Sequence, residues 1–266
     1  MTGVAITGSA VYLPGADRPG PPAYPPELAR KVLGRKRLLF KEPATRLALC
    51  AVHRMLGLPD GEPGHDRPLE PRTAVVASSN LGNVETVADI VRTVRADGWR
   101  AVSPLAAPNA SSNVLASAVA GWFRFGGPNF LVCSGATGGL DAVAVAVRLL
   151  RARRADRVVV VGAEPADEVA TALHERRTAQ SGPLRAGAAC LSLTAATRGV
   201  PILRVSSPVD APESPPDAGF GDSYGAHGII AAALAVQDLP ADPVRVVCGD
   251  PADGWRALEL ERRSVG

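Results

Sequence analysis

The chain has 266 residues, of which 46% are hydrophobic and only 4% aromatic, and its formal net charge is +3. A core of this composition must be built mainly from Ala, Val and Leu, which favours helices packed closely on a sheet. The small charge and the lack of a basic stripe with interleaved aromatics exclude nucleic acid as a partner, and no apolar run is long enough to span a membrane. No signal peptide is recognisable, so we expect a cytoplasmic protein whose four cysteines are free thiols.

The first half of the chain alternates Pro- or Gly-rich loops with regular elements. Composition and apolar spacing predict a loop over Pro14–Pro26, a second loop over Gly61–Pro71, a strand over Thr73–Ser78 and a helix over Asn83–Arg95. One basic concentration stands out, comprising Arg30, Lys31, Arg35, Lys36, Arg37 and Lys41. Such a run is most often a solvated face, although it could also meet an acidic carrier protein.

The second half begins with a strand, a turn, a helix and a buried parallel strand. An apolar run ends at Val132, Thr137 is a candidate N-cap, and apolar residues from Leu140 to Leu150 recur at helical spacing. The remaining predicted elements are strands over Val158–Glu164, Ala188–Thr194, Pro201–Ser206, Val244–Cys248 and Trp255–Glu261, and helices over Ala166–Arg177 and Gly225–Asp238.

The turn between Val132 and Leu140 has the architecture of a nucleophile site. A glycine-bearing turn leads from a strand into a helix, where exposed N–H groups and the helix dipole would favour a thiolate. The residue at its tip is Ala136, whose methyl group cannot carry an acyl chain. The architecture therefore indicates catalysis, whereas the residue argues against it.

The segment from Ala136 to Glu164 resembles the active-site segment of the β-ketoacyl-ACP synthase family. In that family the position of Ala136 holds the catalytic Cys. The string Gly138-Gly139-Leu140-Asp141-Ala142 is similar to one branch, the chain-length factors of type II polyketide synthases, which lack the Cys and commonly carry Gln instead. Other stretches agree with the family: Thr2 to Ala10 as an opening strand, Ala44 to Leu49 as the start of the first long helix, and Ser103-Pro104, Pro108-Asn109, Asn113 and Phe125 to Asn129 as the approach to the nucleophile strand.

The resemblance implies an α/β thiolase fold, with αβαβα layers and two related halves, truncated relative to the family. We expect a single thiolase-like domain over residues 1–266, divided into an N-terminal half (1–198) and a shortened C-terminal half (199–266).

The two catalytic histidines of the family are also missing. The family's Gly-His position reads Gly221-Asp222, and a carboxylate there would repel a developing enolate. The stretch that carries the other histidine has no counterpart, because only a Ser/Pro/Asp-rich loop is expected between Arg204 and Gly219. With Ala136, three expected catalytic residues are absent, which makes an active condensing enzyme improbable.

Several polar residues have both a structural and a functional interpretation. Cys133 is the fallback nucleophile, but Cys is usually a small buried hydrophobic residue. His227 could be a surviving general base or could pack locally, and Asp222 could simply cap the following helix. Cys50 and His53 lie three apart on a helix, but no further ligand is spaced to complete a metal site. We expect neither a metal nor a cofactor.

The function implied by the resemblance is a non-catalytic, chain-length-factor-like subunit that pairs with a catalytic ketosynthase and meets an acyl carrier protein. The expected heterodimer interface is the strand Asn129, Phe130, Leu131 and Val132, and the expected tunnel-facing residues are Leu105, Ala106, Ala107, Asn109, Ala110, Ser111 and Ser112. Two alternatives remain open: a stand-alone acyltransferase or atypical condensing enzyme that uses Cys133, and a degenerate homodimer that binds acyl-ACP.

Overall fold

A computed structural model describes residues 4–177, 182–195, 202–212 and 219–262. The strands in these residues are β1 (Val4–Tyr12), β2 (Thr73–Ser78), β3 (Asn129–Val132), β4 (Arg157–Glu164), β5 (Gly187–Ala195), β6 (Ile202–Val209), β7 (Val244–Asp250) and β8 (Gly254–Glu261). The helices are α1 (Arg30–Leu33), α2 (Pro43–Met55), α3 (Val84–Asp97), α4 (Val114–Phe123), α5 (Gly138–Arg151), α6 (Glu168–Glu175) and α7 (His227–Gln237). Within the described ranges, no helix has the length and apolar character needed to cross a membrane.

Most predicted elements occur with ends displaced by a few residues. The predicted starts at Thr2 and Pro201 lie outside the described residues. The strand predicted to end at Ser206 is present as β6 but continues to Val209, so the loop expected between Arg204 and Gly219 was placed too early; β6 pairs with β8 beyond an irregularity in the register between Val205 and Pro208. A β-bulge is one of the few places where a strand tolerates proline, which explains why composition alone indicated a loop.

The strands form one sheet with the order β3-β2-β4-β5-β1-β6-β8-β7. Strand β2 runs parallel to both β3 and β4, whereas the other pairs are antiparallel. The two parts of the sheet meet where β1 pairs with β6 through Val4 and Ala5. Strand β3 therefore lies at one edge and β7 at the other.

Two hydrophobic cores cover opposite faces of the first five strands. On one face, α5 and α7 pack against β2, β4 and β5 and also against β7 and β8, so these helices form a central layer between the two parts of the sheet. On the other face, α2 and α4 pack against β2, β4 and β5. This arrangement is that of a short thiolase fold.

The central helices approach each other closely because of glycine. An added Cβ at Gly139 of α5 would lie 2.8 Å from the backbone N of Ile229 in α7. This close approach sets the start of α5, and with it the turn that precedes the helix.

Candidate functional site

The turn between β3 and α5 is built on Gly135. This residue has a φ of +66°, a left-handed conformation that favours glycine, and it opens a short 3₁₀ helix over Gly135–Thr137. Asn80, just after β2, holds the glycine on both sides: its Oδ1 accepts from the N–H of Gly135 at 3.1 Å, and its Nδ2 donates to the carbonyl of Gly135 at 3.0 Å. The turn therefore has a fixed geometry, and it presents Ala136.

The backbone N–H of Ala136 donates to the Oδ2 atom of Asp253 at 2.7 Å. Asp253 lies in the tight turn between β7 and β8. Arg177 holds this carboxylate through its Nη1 atom at 2.6 Å, and it also pairs with Asp250 of the same turn. The Arg177 guanidinium in turn lies 4.2 Å from the centroid of the Tyr224 ring.

This contact places a carboxylate over the tip of the turn. An added Cβ at Gly135 would lie only 1.9 Å from the Asp253 Oδ2 atom, which shows how closely the carboxylate covers the backbone. A free N–H at the start of a helix is the kind of donor that stabilises a developing oxyanion. Here that donor already has an internal anionic partner.

A buried glutamate supports the turn from below. Glu164, at the end of β4, is fully buried, and its carboxylate accepts from the N–H groups of Asn80 at 2.6 Å and Leu81 at 3.0 Å and from the Ser79 hydroxyl at 3.1 Å. Burial raises the pKa of Glu164 to about 7, although these hydrogen bonds favour the charged form. Glu164 thus positions the strand end that carries Asn80.

The start of α5 is held by Asp141. Its Oδ2 atom accepts from the hydroxyls of Ser134 at 2.6 Å and Thr137 at 2.7 Å, and its Oδ1 atom lies 2.5 Å from Nε of Arg256 on β8. Thr137 occupies the N-cap position as predicted, but its hydroxyl makes no bond to the helix backbone; its single proton is directed to the Asp141 carboxylate at 2.7 Å, with the Ser134 carbonyl also within reach at 2.9 Å. The acidic group in the first turn also suits the positive end of the helix dipole.

Cys133 lies beside this turn and is exposed, but its thiol makes a hydrogen bond. The Sγ atom donates to the Ser79 carbonyl at 3.2 Å. Burial and the nearby Glu164 raise the pKa of the Cys133 thiol, so the thiol form predominates at neutral pH. The other cysteines, Cys50, Cys190 and Cys248, are free and buried.

Asp222 has two hydrogen-bond partners, and the sequence did not indicate the second of them. Its Oδ1 atom accepts from the Tyr224 N–H at 2.7 Å, at the start of the 3₁₀ helix Tyr224–Ala226, although Asp222 is not the N-cap residue of that helix or of α7. Its Oδ2 atom lies 3.1 Å from Nε2 of the buried His174 on α6. Burial opposes the charge on Asp222, but the contacts with His174 and Tyr224 hold its pKa below the ordinary value, and the pairing raises the pKa of His174.

The other candidate residues have structural environments. The His227 ring packs against Phe220 at 4.9 Å, and burial lowers the pKa of His227. His53 is buried with its Nε2 atom 3.0 Å from the Pro59 carbonyl. Among the described residues, no group of three or more potential metal ligands comes together.

The expected interface and tunnel residues lie at the surface on neighbouring elements. Phe130 of β3 is 45% exposed, and Leu105 is 66% exposed. Asn109 is the only buried member of the expected tunnel set: its Nδ2 atom donates to the Phe40 carbonyl. Nδ2 of Asn113, the residue that follows the expected tunnel segment, donates to Oδ1 of Asn129 on β3 at 2.8 Å.

Sequence reasoning missed the residues that surround Ala136 in space. Asn80, Arg177 and the pair Asp250 and Asp253 come from three separate places in the chain, and none belongs to a local motif. The strands β7 and β8 were predicted, but nothing in their residues indicated that the turn between them would reach the start of α5. His174 was missed for the same reason.

A family model described as "Beta-ketoacyl synthase, N-terminal domain" matches residues 33–188. Because this match spans more than half of the chain, the protein belongs to the β-ketoacyl synthase family. The matched region contains the turn at Ala136, Glu164 and strands β2, β3 and β4.

Solved structures confirm the thiolase fold. The chain resembles the structure titled "The ishigamide ketosynthase/chain length factor" with a TM-score of 0.73 and 21% identity, covering 98% of this chain and 99% of that chain. It also resembles AntDE:AntF, a type II PKS acyl-carrier protein in complex with its ketosynthase bound to the hexaketide (TM-score 0.73, 14% identity, 99% and 100% coverage). A ketosynthase domain, OzmH KS7 from Streptomyces albus JA3453, has a TM-score of 0.68 and 13% identity, with 98% and 75% coverage. No curated protein matches the chain.

Proposed function

We propose that this chain is a non-catalytic, chain-length-factor-like subunit that pairs with a catalytic β-ketosynthase in type II polyketide or polyene biosynthesis in the cytoplasm. The proposal rests on two features of the turn at the nucleophile position, between β3 and α5. The family's nucleophile position holds Ala136, and the N–H of that residue bonds to the Asp253 carboxylate.

The groups around the turn support the absence of condensation chemistry. A condensing enzyme needs a thiolate to carry the acyl chain and donors that stabilise an enolate. Cys133 is a weak candidate nucleophile because its pKa is raised and its thiol donates to a carbonyl. Asp222 is negatively charged and already paired with His174, so it offers no donor.

Unpaired edges and exposed apolar side chains support the proposed pairing. Strand β3 bonds to β2 on one side only and lies at the sheet edge, which is an aggregation hazard if left uncovered. Helix α3 has the predicted amphipathic pattern but no buried residue, and Val87, Val91 and Val94 are each about 40% exposed. Apolar surface on this scale is typical of a protein that has a partner.

A co-expression experiment tests the pairing. The chain is produced with the ketosynthase of its native host and the complex is isolated by gel filtration. Leu131→Lys on β3 is expected to abolish the complex, because a charge would enter the proposed interface. Val247→Lys on β7, at the opposite edge of the sheet, is the matched control and should leave the complex intact.

The same preparations separate the proposal from its rivals. A stand-alone enzyme would form an acyl adduct on Cys133 after incubation with acyl-ACP, which intact-protein mass spectrometry detects. A homodimeric binding protein would elute as a dimer without the ketosynthase. Either result would overturn the proposed function.

The segment Leu105–Ser112 is proposed to face the acyl tunnel of the partner. It contains no side chain larger than Leu105, and most of its residues are exposed in the single chain. Small side chains leave space at the proposed end of the tunnel, which suits a long and extended product. An acyl carrier protein is the proposed second partner, since one of the structural relatives is described in complex with such a protein.

A further inference from the structure

The end of α5 and the loop before β4 carry a high density of arginine. Residues 148–157 contain five arginines and one acidic residue, Asp156, so this ten-residue stretch has a formal net charge of +4. The net charge of the whole chain is only +3. Positive charge is therefore concentrated at the amino end of β4, whereas Glu164 and the turn at Ala136 lie at the other end of that strand.

Hydrogen bonds join this stretch to two neighbouring loops. The N–H of Asp156 donates to the Arg72 carbonyl at 2.9 Å, and Nη2 of Arg72 donates to the Arg153 carbonyl at 3.0 Å. The N–H of Glu70 donates to the Arg124 carbonyl at 2.9 Å. These contacts fix one continuous surface, called here the arginine end, which comprises residues 67–72, 124–128 and 148–157.

The acidic residues of the arginine end are already paired. Asp156 accepts from Nε of Arg72 at 2.7 Å and from its Nη2 at 2.8 Å, and Glu70 pairs with Arg67 and Arg157. The exposed arginines that form no ion pair with another described residue are Arg124, Arg148, Arg151, Arg153 and Arg154.

A structural role at the end of a helix does not account for all of these arginines. Arg148 and Arg151 lie in the last turn of α5, where a cation suits the negative end of the helix dipole. That effect falls off within the last turn, and Arg124, Arg153 and Arg154 lie outside it. At least these three guanidinium groups are available to an external anion.

Leu69 adds an exposed apolar side chain to the charged surface. Its exposed fraction is 56%, and the nearby Pro68 and Pro71 are exposed as well. An added Cβ at Gly126 would lie 3.3 Å from Cδ1 of Leu69, so this leucine packs on the second loop of the arginine end. The only aromatic residue in the three segments, Phe125, is 4% exposed.

We propose that the arginine end binds the surface of an anionic lipid bilayer, and that the bilayer is the cytoplasmic face of the host membrane. Arginine binds phosphate in a bidentate manner, which suits a surface of phosphodiester headgroups. Anionic bilayers attract clusters of basic residues, and an exposed leucine can enter the boundary between headgroups and acyl chains. The association is peripheral and does not depend on the proposed pairing through β3.

Two observations favour a bilayer over other polyanions. Binding of single-stranded nucleic acid relies on exposed aromatic rings, and the ring of Phe125 is buried. A stable protein interface has a well-packed apolar core, which is larger than the area that Leu69 and two prolines provide. A fluid bilayer needs no complementary shape, because its headgroups rearrange around the arginines.

A second basic cluster on the chain provides a matched control. Residues 35–37 are three consecutive exposed cations close to Leu39, which is 76% exposed. They lie toward the carboxyl end of β2, because the nearby Glu42 carboxylate accepts from the hydroxyl of Thr86, in the helix that follows this strand. A planar bilayer in contact with the arginine end, at the amino end of β2, therefore does not reach them.

Co-sedimentation with lipid vesicles tests the proposal on the full chain. One set of vesicles is an equal mixture of phosphatidylglycerol and phosphatidylcholine, and pure phosphatidylcholine is its neutral counterpart. A labelled duplex oligonucleotide, measured by fluorescence polarisation, is the competing polyanion. The variants are an arginine-end triple (Arg151→Gln, Arg153→Gln and Arg154→Gln), a control triple (Arg35→Gln, Lys36→Gln and Arg37→Gln), and the single replacements Leu69→Ser and Leu39→Ser.

The two triples are matched in charge and in backbone conformation. Each removes three positive charges, and each includes one residue with a left-handed φ, which is +54° at Arg153 and +63° at Arg37. Circular dichroism checks that every variant is folded. A further pair, Arg124→Gln with Arg148→Gln, changes other positions of the same surface and gives an independent result if the arginine-end triple does not fold.

Each basic residue near an anionic surface contributes roughly fivefold to partitioning, so the arginine-end triple should weaken binding to anionic vesicles by about 100-fold. The pair at Arg124 and Arg148 should weaken it by about 20-fold. We expect Leu69→Ser to weaken it several-fold, whereas the control triple and Leu39→Ser should change it less than about twofold. Added salt should weaken binding of the wild type.

Equal losses in the two triples, or equal sedimentation with charged and neutral vesicles, would overturn the proposal. Absence of binding to anionic vesicles would overturn it as well. Tighter binding of the oligonucleotide than of the vesicles, lost with the same arginines, would assign the surface to nucleic acid instead. Gel filtration with the ketosynthase measures the proposed pairing on its own, so failure of one proposal is distinguishable from failure of the other.

Discussion

The contact between Asp253 and the N–H of Ala136 predicts that restoring a cysteine does not restore a reactive nucleophile. The test uses Ala136→Cys in a Cys133→Ala background, so that the new thiol is the only exposed one, since Cys50, Cys190 and Cys248 are buried. A cysteine at the start of a helix ordinarily has a lowered pKa. Here the carboxylate 2.7 Å from the backbone N opposes that effect.

The magnitude follows from Coulomb's law. A thiolate about 5 Å from a carboxylate, at an effective dielectric constant of about 20, is destabilised by roughly 3 kcal/mol, or about 2 pKa units. Arg177 bridges Asp253 and Asp250 and offsets part of this repulsion, because one positive charge serves two carboxylates. We therefore expect the thiol introduced by Ala136→Cys, in the Cys133→Ala background, to have a pKa at or above the ordinary value. Adding Asp253→Asn should lower the pKa of this thiol by about 1 to 2 units.

The assay is the pH dependence of the rate of alkylation by iodoacetamide, followed by intact-protein mass spectrometry. Asp97→Asn, at the exposed end of α3, is the matched control and should leave the thiol pKa unchanged. A thiol pKa below about 7 with Asp253 present, or no shift on its replacement, would refute the role assigned to this carboxylate.

Two other outcomes follow from the structure. The pKa of Glu164 is about 7 in the folded chain against an ordinary 4.5, so the folded state retains its proton where the unfolded state has lost it. The free energy of unfolding should therefore fall by about 3 kcal/mol as the pH rises from about 4.5 to about 7. Urea titrations measure this dependence, and Glu164→Gln should remove it. A difference in stability between the two proteins that does not change with pH would contradict the assignment. Ala110→Phe should shorten the product of the reconstituted pair, as measured by mass spectrometry, with little change in stability because Ala110 is exposed. Full-length product at a normal rate would show that this segment does not bound the tunnel, and Ser117→Phe, on the exposed side of α4, is the control.

Local pattern predicted much of the fold because helices and strands leave periodic signatures. The strand Thr73–Ser78 occurs with its predicted ends, since it is a continuous apolar run with polar or Pro-containing flanks. The turn at Ala136 could likewise be read from the Gly-containing string and the helical spacing after it. The same periodicity predicted α3, but it could not indicate that Val87, Val91 and Val94 would stay exposed, because amphipathicity says nothing about which surface covers the apolar face.

The chemistry of the site could be predicted only where it depended on residue identity. Replacement of a nucleophile by Ala136 is visible in the sequence, as is an acidic residue at position 222. The bond from the Ala136 N–H to Asp253 joins residues 117 positions apart, and the pairing of His174 with Asp222 also depends on the packing of distant elements. No local rule predicts such pairs, since they follow from the assembled fold.

The position of Asp253 has a consequence for the order in which the protein matures. The turn at Ala136 is synthesised well before the hairpin of β7 and β8, so a growing chain holds an uncovered N–H at the start of α5 until the hairpin emerges. Contacts of such long sequence separation are costly in loop-closure entropy and form late. We therefore expect the bond between the Ala136 N–H and Asp253 to form late in folding, after β7 and β8 have assembled at the far edge of the sheet.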